Sequence, residues 1–168
     1  MNREKIKLSE IILVGLTART NNKNEMNPDT SKIGKLAGEY WSHQVAKNIQ
    51  HRSKPGITYA VYTDYDSDEH GDYTYFIGEA VKSLEGQDLL QFKTLTIPQS
   101  HYQKFTTELG KMPDVVITAW QAIWAMNESE LSAQRRYIAD FEIYDDRASD
   151  PNNTIVDIYI GINETSVE

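Results

Sequence analysis

Hydrophobic side chains recur along this chain with two periods, one typical of helices and one typical of strands. Two segments, residues 31 to about 50 and residues 114 to about 126, carry apolar residues every three or four positions on one face. The first face comprises Ile33, Leu36, Ala37, Tyr40, Trp41 and Val45, and the second comprises Val116, Ala119, Trp120, Ile123 and Trp124. A 3.6-residue period predicts an amphipathic helix in each place. We expect the polar residues 27–30 and the pair Pro113-Asp114 to supply the start signals.

Other segments are rich in β-branched and aromatic residues, which are typical of strands. The predicted strands are 8–19, 57–65, 73–82, 89–97, 102–108, 137–145 and 154–162. Polar turns such as residues 66–71 and 149–153 separate them, and their Asp, Asn, Ser, Gly and Pro residues tolerate turn geometry. These patterns predict an α+β fold.

The chain contains an internal repeat. When its second half is shifted back by about 80 to 90 residues, the predicted helices and strands of the two halves fall in the same order. Residues 61–65 and 75–78 then lie over residues 141–145 and 159–161, with Gly78 over Gly161. The first strands match more loosely, residues 13–16 over residues 102–105. This indicates a duplicated strand–helix–strand–strand unit, with repeat 1 at about 6–82 and repeat 2 at about 95–163. We expect an antiparallel sheet with pseudo-two-fold symmetry, two helices on one face and a central ligand cleft on the other.

The composition limits the class of protein. The 168 residues suit a single domain, 1–168. The longest apolar run, residues 11–16, is far shorter than the roughly 20 residues that span a membrane. The first eight residues are polar and charged, so no secretory signal is expected, and the absence of cysteine excludes disulfides. We expect a cytoplasmic protein that does not contact a membrane.

The formal net charge of −8 argues against nucleic acid as a direct partner, because phosphate binding needs clustered Lys and Arg side chains. An acidic protein raises the local concentration of positive ligands. The same acidity also serves solubility, so charge alone does not identify a ligand.

No motif for a metal, a cofactor or a common nucleophile is found. Asp64, Asp66 and Asp68 resemble the start of a calcium loop, but Glu69 and Tyr75 stand where that loop needs Gly and Glu. The four histidines fall in different elements, and no HExxH or GxSxG motif occurs. We therefore expect no metal and no cofactor.

Several motifs resemble one bacterial family. They are Tyr62-Thr63-Asp64-Tyr65, Gly71-Asp72-Tyr73, Ile77-Gly78, Ile97-Pro98, Trp120-x-x-Ile123, Arg136-Tyr137-x-x-Asp140-Phe141-Glu142-Ile143-Tyr144-Asp145 and residues 156–162. In this order they are similar to GyrI-like proteins and to the effector-binding modules of AraC-type and MerR-type regulators. The chain most resembles stand-alone integron-cassette proteins that bind cationic drugs.

The resemblance implies a stand-alone protein that binds cationic amphipathic or aromatic compounds, as in multidrug recognition. In the family, a buried acidic residue lies in a Phe-Glu-x-Tyr stretch, which places it here at Glu142. The chain has no room for a helix-turn-helix domain, so direct transcriptional control is not expected. Members of the family also protect gyrase or hydrolyse strained compounds. The alternatives are therefore a hydrolase, with Glu142 as general acid or base, and a module that contacts gyrase or a transcription regulator.

The residues themselves also single out Glu142. In the strand 137–145 it shares a face with Asp140 and Tyr144. Burying a carboxylate without a partner costs at least several kcal/mol, on the order of the desolvation penalty of one ion. An organic cation would compensate the charge. The alternatives are a salt bridge to a nearby arginine, either Arg135, Arg136 or Arg147, or plain solvent exposure.

Aromatic residues complete the predicted ligand site. Trp120 and Trp124 lie four residues apart on one helix, and Trp41 occupies the matching helix of the first repeat. Tyr62 and Tyr144 lie on strands of the two repeats. A cation over such a ring gains about 0.5 to 2 kcal/mol. The same residues are equally suited to core packing.

Overall fold

A computed structural model of the chain describes residues 1–163. The strands are β1 (Asn2–Leu8), β2 (Ile11–Thr20), β3 (Thr58–Thr63), β4 (Tyr73–Ala80), β5 (Lys93–Ile97), β6 (Ser100–Thr106), β7 (Ala139–Tyr144) and β8 (Asp157–Ile162). The α-helices are α1 (Asn22–Glu25), α2 (Ile33–Ser42), α3 (Asp114–Trp124) and α4 (Glu128–Leu131). Short 3₁₀ turns follow at Val45–Asn48 and Asp146–Ala148.

The strands form one antiparallel sheet in the order β1-β6-β8-β7-β3-β4-β2-β5. The order is symmetric about the central pair β3–β7, since β4, β2 and β5 follow outward on one side and β8, β6 and β1 on the other. The α+β fold class predicted from the sequence is confirmed. The domain and repeat boundaries stay predictions.

The outermost strands are exchanged between the two sides of the sheet. β1 begins the chain but pairs with β6, whereas β5 follows β4 and pairs with β2. The predicted strand 8–19 corresponds to β2, and only its first residue, Leu8, belongs to β1, a strand that the prediction missed. Residues 2–8 were not predicted as a strand because they are mostly exposed and polar, as an edge strand can be.

The β2–β4 ladder shows why glycine occurs at the centre of the first half. Gly15 lies opposite Gly78, and a Cβ atom on Gly78 would come within 2.1 Å of the Val14 carbonyl oxygen. In the second half Gly161 lies opposite Tyr102. If Gly78 and Gly161 are equivalent, Tyr102 corresponds to Gly15. The predicted match of residues 13–16 with 102–105 was thus displaced by two positions.

Both predicted helices exist, but the first differs in length and in its start signal. α2 ends at Ser42 because Gln44 adopts a left-handed backbone with φ of 50°, which interrupts the helical hydrogen bonds. The predicted start signal at residues 27–30 was wrong. Instead, the Glu25 carboxylate accepts hydrogen bonds from the backbone N–H groups of Lys32 and Ile33, each at 2.9 Å.

The long helices cover the same face of the sheet. α2 contributes Tyr40 to a core cluster with strands of the first half, and α3 contributes Trp120 to a cluster with β6 and β8. Tyr62 and Tyr144 pack against both clusters, so they mark the boundary between the helices. A third cluster fills the other face. Within residues 1–163, none of the helices has the length and apolarity that a membrane crossing requires.

Candidate functional site: an aromatic cleft with a buried carboxylate

A cleft of about 460 Å³ opens between α2 and α3 above the central strands. It lies on the same face of the sheet as the helices, so the prediction of a cleft on the opposite face is wrong. This volume is in the range of pockets that enclose drug-sized molecules, roughly 300–1,000 Å³. All six residues predicted from the sequence line it: Glu142, Trp120, Trp124, Trp41, Tyr62 and Tyr144. The structure therefore brings them together, one wall from each half of the chain and the floor from β3, β4 and β7.

Glu142 lies at the floor of the cleft in the middle of β7. It faces Ala60 of β3, whose short side chain leaves room for the carboxyl group, and it is only 2% exposed. Three neutral donors bind the carboxylate. The Tyr144 hydroxyl donates to Oε1 at 2.6 Å, and the Trp120 indole N–H and the Tyr62 hydroxyl donate to Oε2 at 2.7 and 3.1 Å.

The arginines that could have neutralised Glu142 have other partners. Arg135 binds Asp140 at 2.7 Å, and Arg136 donates to the Ser100 hydroxyl at 2.8 Å. Arg147 forms two salt bridges through its Nη2 atom, one with Asp145 at 2.9 Å and one with Asp157 at 2.6 Å. In the part of the chain that the structure describes, Glu142 forms no salt bridge.

Burial raises the pKa of Glu142, and the hydrogen bonds from Tyr144, Trp120 and Tyr62 oppose that rise. The pKa of Tyr62 is raised well above 10.0, mainly by burial and then by the charge of Glu142, so its hydroxyl keeps its proton and remains a donor. The floor of the cleft is thus a carboxylate stabilised only by neutral donors.

Aromatic rings form the walls and the rim. Trp120 packs edge-on against Tyr62 with ring centres 5.2 Å apart, and Trp41 packs edge-on against Tyr144 at 5.5 Å. Trp41 and Trp124 are 46% and 42% exposed. These two indoles stand at the mouth of the cleft, where a ligand would meet them first.

Sequence reasoning missed part of the lining. Tyr65, Tyr73, Tyr75, Glu69 and Arg135 also border the cleft. Tyr73 and Tyr75 alternate on one face of β4, and this two-residue period beside Tyr62 could have identified them. Glu69 gave no local signal, since it belongs to the turn after β3, which reaches the cleft only in the folded chain.

Asp140 shares a face of β7 with Glu142, as predicted, but its environment differs. Its Oδ2 atom accepts hydrogen bonds from the Tyr65 hydroxyl at 2.6 Å and from Arg135, and its Oδ1 atom accepts one from the Gly161 N–H at 2.7 Å. Asp140 is therefore a paired structural carboxylate, in contrast to Glu142.

Comparison with known proteins identifies the family. Residues 6–162 match the family described as integron-associated effector binding protein. The chain belongs to this family. As an integron-associated effector-binding protein it resembles the Bacillus subtilis (strain 168) protein YobU, which is named as a candidate transcriptional regulator. The two are 29% identical over 152 residues, which cover 89% of this chain and 91% of YobU.

Solved structures share the fold of this effector-binding protein. An integron cassette protein from the mobile metagenome of Vibrio cholerae is 25% identical, with a TM-score of 0.73 over 96% of this chain and 95% of that one. The protein SAV2435, solved with bound tetraphenylphosphonium, is 17% identical, with a TM-score of 0.74 over 97% of this chain and 94% of that one.

Proposed function

We propose that this effector-binding protein binds an aromatic organic cation in the cleft, with Glu142 as the counter-charge. The observation that carries the proposal is a carboxylate that is 2% exposed, has no salt bridge within residues 1–163 and is surrounded by aromatic rings. A buried charge without a partner is costly, and a bound cation offsets that cost. The bound tetraphenylphosphonium of SAV2435, which has the same fold, supports this chemistry.

The ligand would gain binding energy from two sources. The aromatic walls supply apolar area and contacts between cation and ring, worth about 0.5–2 kcal/mol each when water is excluded. The carboxylate attracts the positive charge in surroundings where water screens it little. A neutral molecule of the same shape would use only the first source, so charge should decide between them.

The test is a titration of the protein with tetraphenylphosphonium, followed by quenching of tryptophan fluorescence and by calorimetry. Glu142→Gln removes the charge and keeps an acceptor for the neutral donors. We expect it to weaken binding at least about tenfold, which corresponds to about 1.4 kcal/mol. Glu85→Gln, which makes the same change of net charge at an exposed loop position outside the cleft, is the matched control and should bind like the wild type.

Equal affinity of Glu142→Gln and the wild type would contradict the electrostatic role, provided that both unfold at the same temperature. Triphenylphosphine oxide, a neutral aromatic compound, should bind more weakly than the cation. If both bind equally to the wild type, charge does not select the ligand.

Hydrolysis and interaction with gyrase or a transcription regulator stay predictions. Incubation of the protein with strained electrophilic compounds, followed by mass spectrometry, tests the hydrolase. Recovery of these compounds unchanged supports a binding protein. A ring-opened product would favour the hydrolase, with Glu142 as its acid or base.

A further inference from the structure

A continuous row of aromatic rings leads away from Glu142, and all of them except the last, Tyr137, line the cleft. Trp120 donates to Glu142 and contacts Tyr62, which contacts Tyr73. Tyr73 contacts Tyr65, and Tyr65 contacts Tyr137. Neighbouring ring centres are 5.2 to 6.0 Å apart along this row. A ligand of one ring would cover only a part of it.

A second carboxylate lies at the far end of the row. The Tyr137 hydroxyl donates to Glu69 Oε2 at 2.6 Å, and Glu69 itself lines the cleft. The turn that carries Glu69 is fixed from the other side, because Asn22 of α1 donates to the Glu69 carbonyl oxygen at 2.7 Å. Tyr137 adopts a positive φ of 54°, which is strained for an aromatic residue and is characteristic of functional sites.

The charges at this end leave Glu69 in excess. Arg135 also borders the cleft, but Asp140 neutralises it at 2.7 Å, and its guanidinium group lies 4.3 Å above the Tyr137 ring. Burial acts to raise the pKa of Glu69, but the hydrogen bond from Tyr137, a backbone hydrogen bond and the remaining field of Arg135 together lower it, so Glu69 is ionised at neutral pH. His70 Nε2 lies 3.8 Å from Glu69 Oε1 and counts as a charge only when protonated.

The third lining carboxylate, Glu25, lies at the start of α2. It accepts hydrogen bonds from the backbone N–H groups of Lys32 and Ile33, and the positive end of the helix dipole there offsets part of its charge. The cleft therefore offers two separate negative centres with an aromatic wall between them, Glu142 at one end and Glu69 at the other.

We propose that the cleft selects elongated ligands with two positive centres, one bound by Glu142 and the other by Glu69. The inference rests on the proposed function and adds the class of ligand. The aromatic row supplies the surface for the spacer, and each cationic group faces a tyrosine or tryptophan that also hydrogen-bonds its carboxylate. Quaternary ammonium groups bind well to such rings.

The experiment compares two series of cations at one fixed pH. One is bis(trimethylammonium) alkanes with graded spacers, and the other is alkyltrimethylammonium ions of the same chain lengths. For the wild type we expect one spacer length at which the bis-cation binds at least about tenfold more tightly than its monocation, about 1.4 kcal/mol. Glu69→Gln should remove that difference, whereas Glu142→Gln should weaken the binding of both series.

Glu85→Gln again controls for net charge and should retain the preference. Equal binding of bis-cations and monocations at every length, or a preference that Glu69→Gln keeps, would show that Glu69 does not bind a second cationic group. Either result leaves the proposed binding of tetraphenylphosphonium intact. If neither series nor tetraphenylphosphonium binds the wild type, the proposed function fails as well. Thermal unfolding of each variant shows whether a loss of binding reflects a loss of folding.

Discussion

At the scale of the residue, the three side chains that donate to Glu142 have two opposite effects on the pKa of its carboxyl group. Tyr62, Trp120 and Tyr144 exclude water from the carboxylate, which raises its pKa, and their hydrogen bonds favour the ionised form, which lowers it. The net pKa is above the ordinary 4.5. If the cleft binds a cation as proposed, its affinity should be lost at a higher pH than that at which an exposed glutamate loses its charge.

Cation affinity should fall as the pH falls, because only the ionised form of Glu142 attracts a cation. As pH falls through the raised pKa of Glu142, the carboxylate takes up a proton and cation affinity is lost. Trp120→Phe removes one hydrogen bond to the ionised form, so the pH at which affinity is lost should move upward. Titrations with tetraphenylphosphonium at a series of pH values measure both midpoints. Glu142→Gln should show no such transition, and a midpoint in Trp120→Phe at or below that of the wild type would contradict the role of the indole.

The sequence identified Glu142 through its place in the strand and through the resemblance, but it could not tell whether an arginine compensates it. Arg135, Arg136 and Arg147 all lie within seven residues of it along the chain, and only the folded structure assigns their partners. The place of Glu69 in the cleft could not be predicted for a similar reason. Its neighbours in sequence describe a turn, and its approach to Tyr137 is a contact between distant segments.

At the scale of the element, α2 depends on a residue outside it. The helix has no capping side chain at Lys32, the residue before its first turn, and Glu25 from α1 supplies the acceptor instead. An acidic group at the start of a helix also favours its dipole. The hydrophobic period predicted α2 correctly, but its start depends on a contact seven residues away, which local capping rules do not cover.

We expect Glu25→Ala to lower the free energy of unfolding by about 1–2 kcal/mol, since it leaves two backbone N–H groups of α2 without an acceptor. Chemical denaturation of the ligand-free protein measures the change. Glu39→Ala, an exposed position within the same helix, serves as the control and should change stability by less than about 0.5 kcal/mol. Equal effects of the two substitutions would show that the Glu25 carboxylate does not stabilise the start of α2.

At the scale of the whole molecule, the two halves meet along more than the central pair of strands. β3 pairs with β7 at the middle of the sheet, β1 pairs with β6 at one side, and β5 pairs with β2 at the other. Phe92, just before β5, is buried in the core cluster of the first half. The periodic patterns revealed the strands but not this exchange, because the pairing of edge strands depends on contacts across the whole fold.

A chain cut between β4 and β5 should therefore behave as a pair of complementary fragments. The bend at Gly86, where φ is +74°, lies in an exposed loop suited to the cut. Fragments 1–86 and 87–168 would each carry one edge strand, β1 or β5, whose pairing partner is in the other piece, and the central pair β3–β7 would also be divided between them. We expect neither to bind tetraphenylphosphonium alone and an equimolar mixture to regain binding, measured by fluorescence and by size-exclusion chromatography. Independent folding of either fragment would contradict this expectation.

The exchange of edge strands also bears on how the chain matures during synthesis. β1 leaves the ribosome first, but its pairing partner β6 begins about a hundred residues later, at Ser100. Until then β1 has no strand to pair with, and the first half lacks β5 as its outer strand. The cleft can form only after nearly the entire chain has been made, because its floor needs Glu142 and Tyr144 from β7.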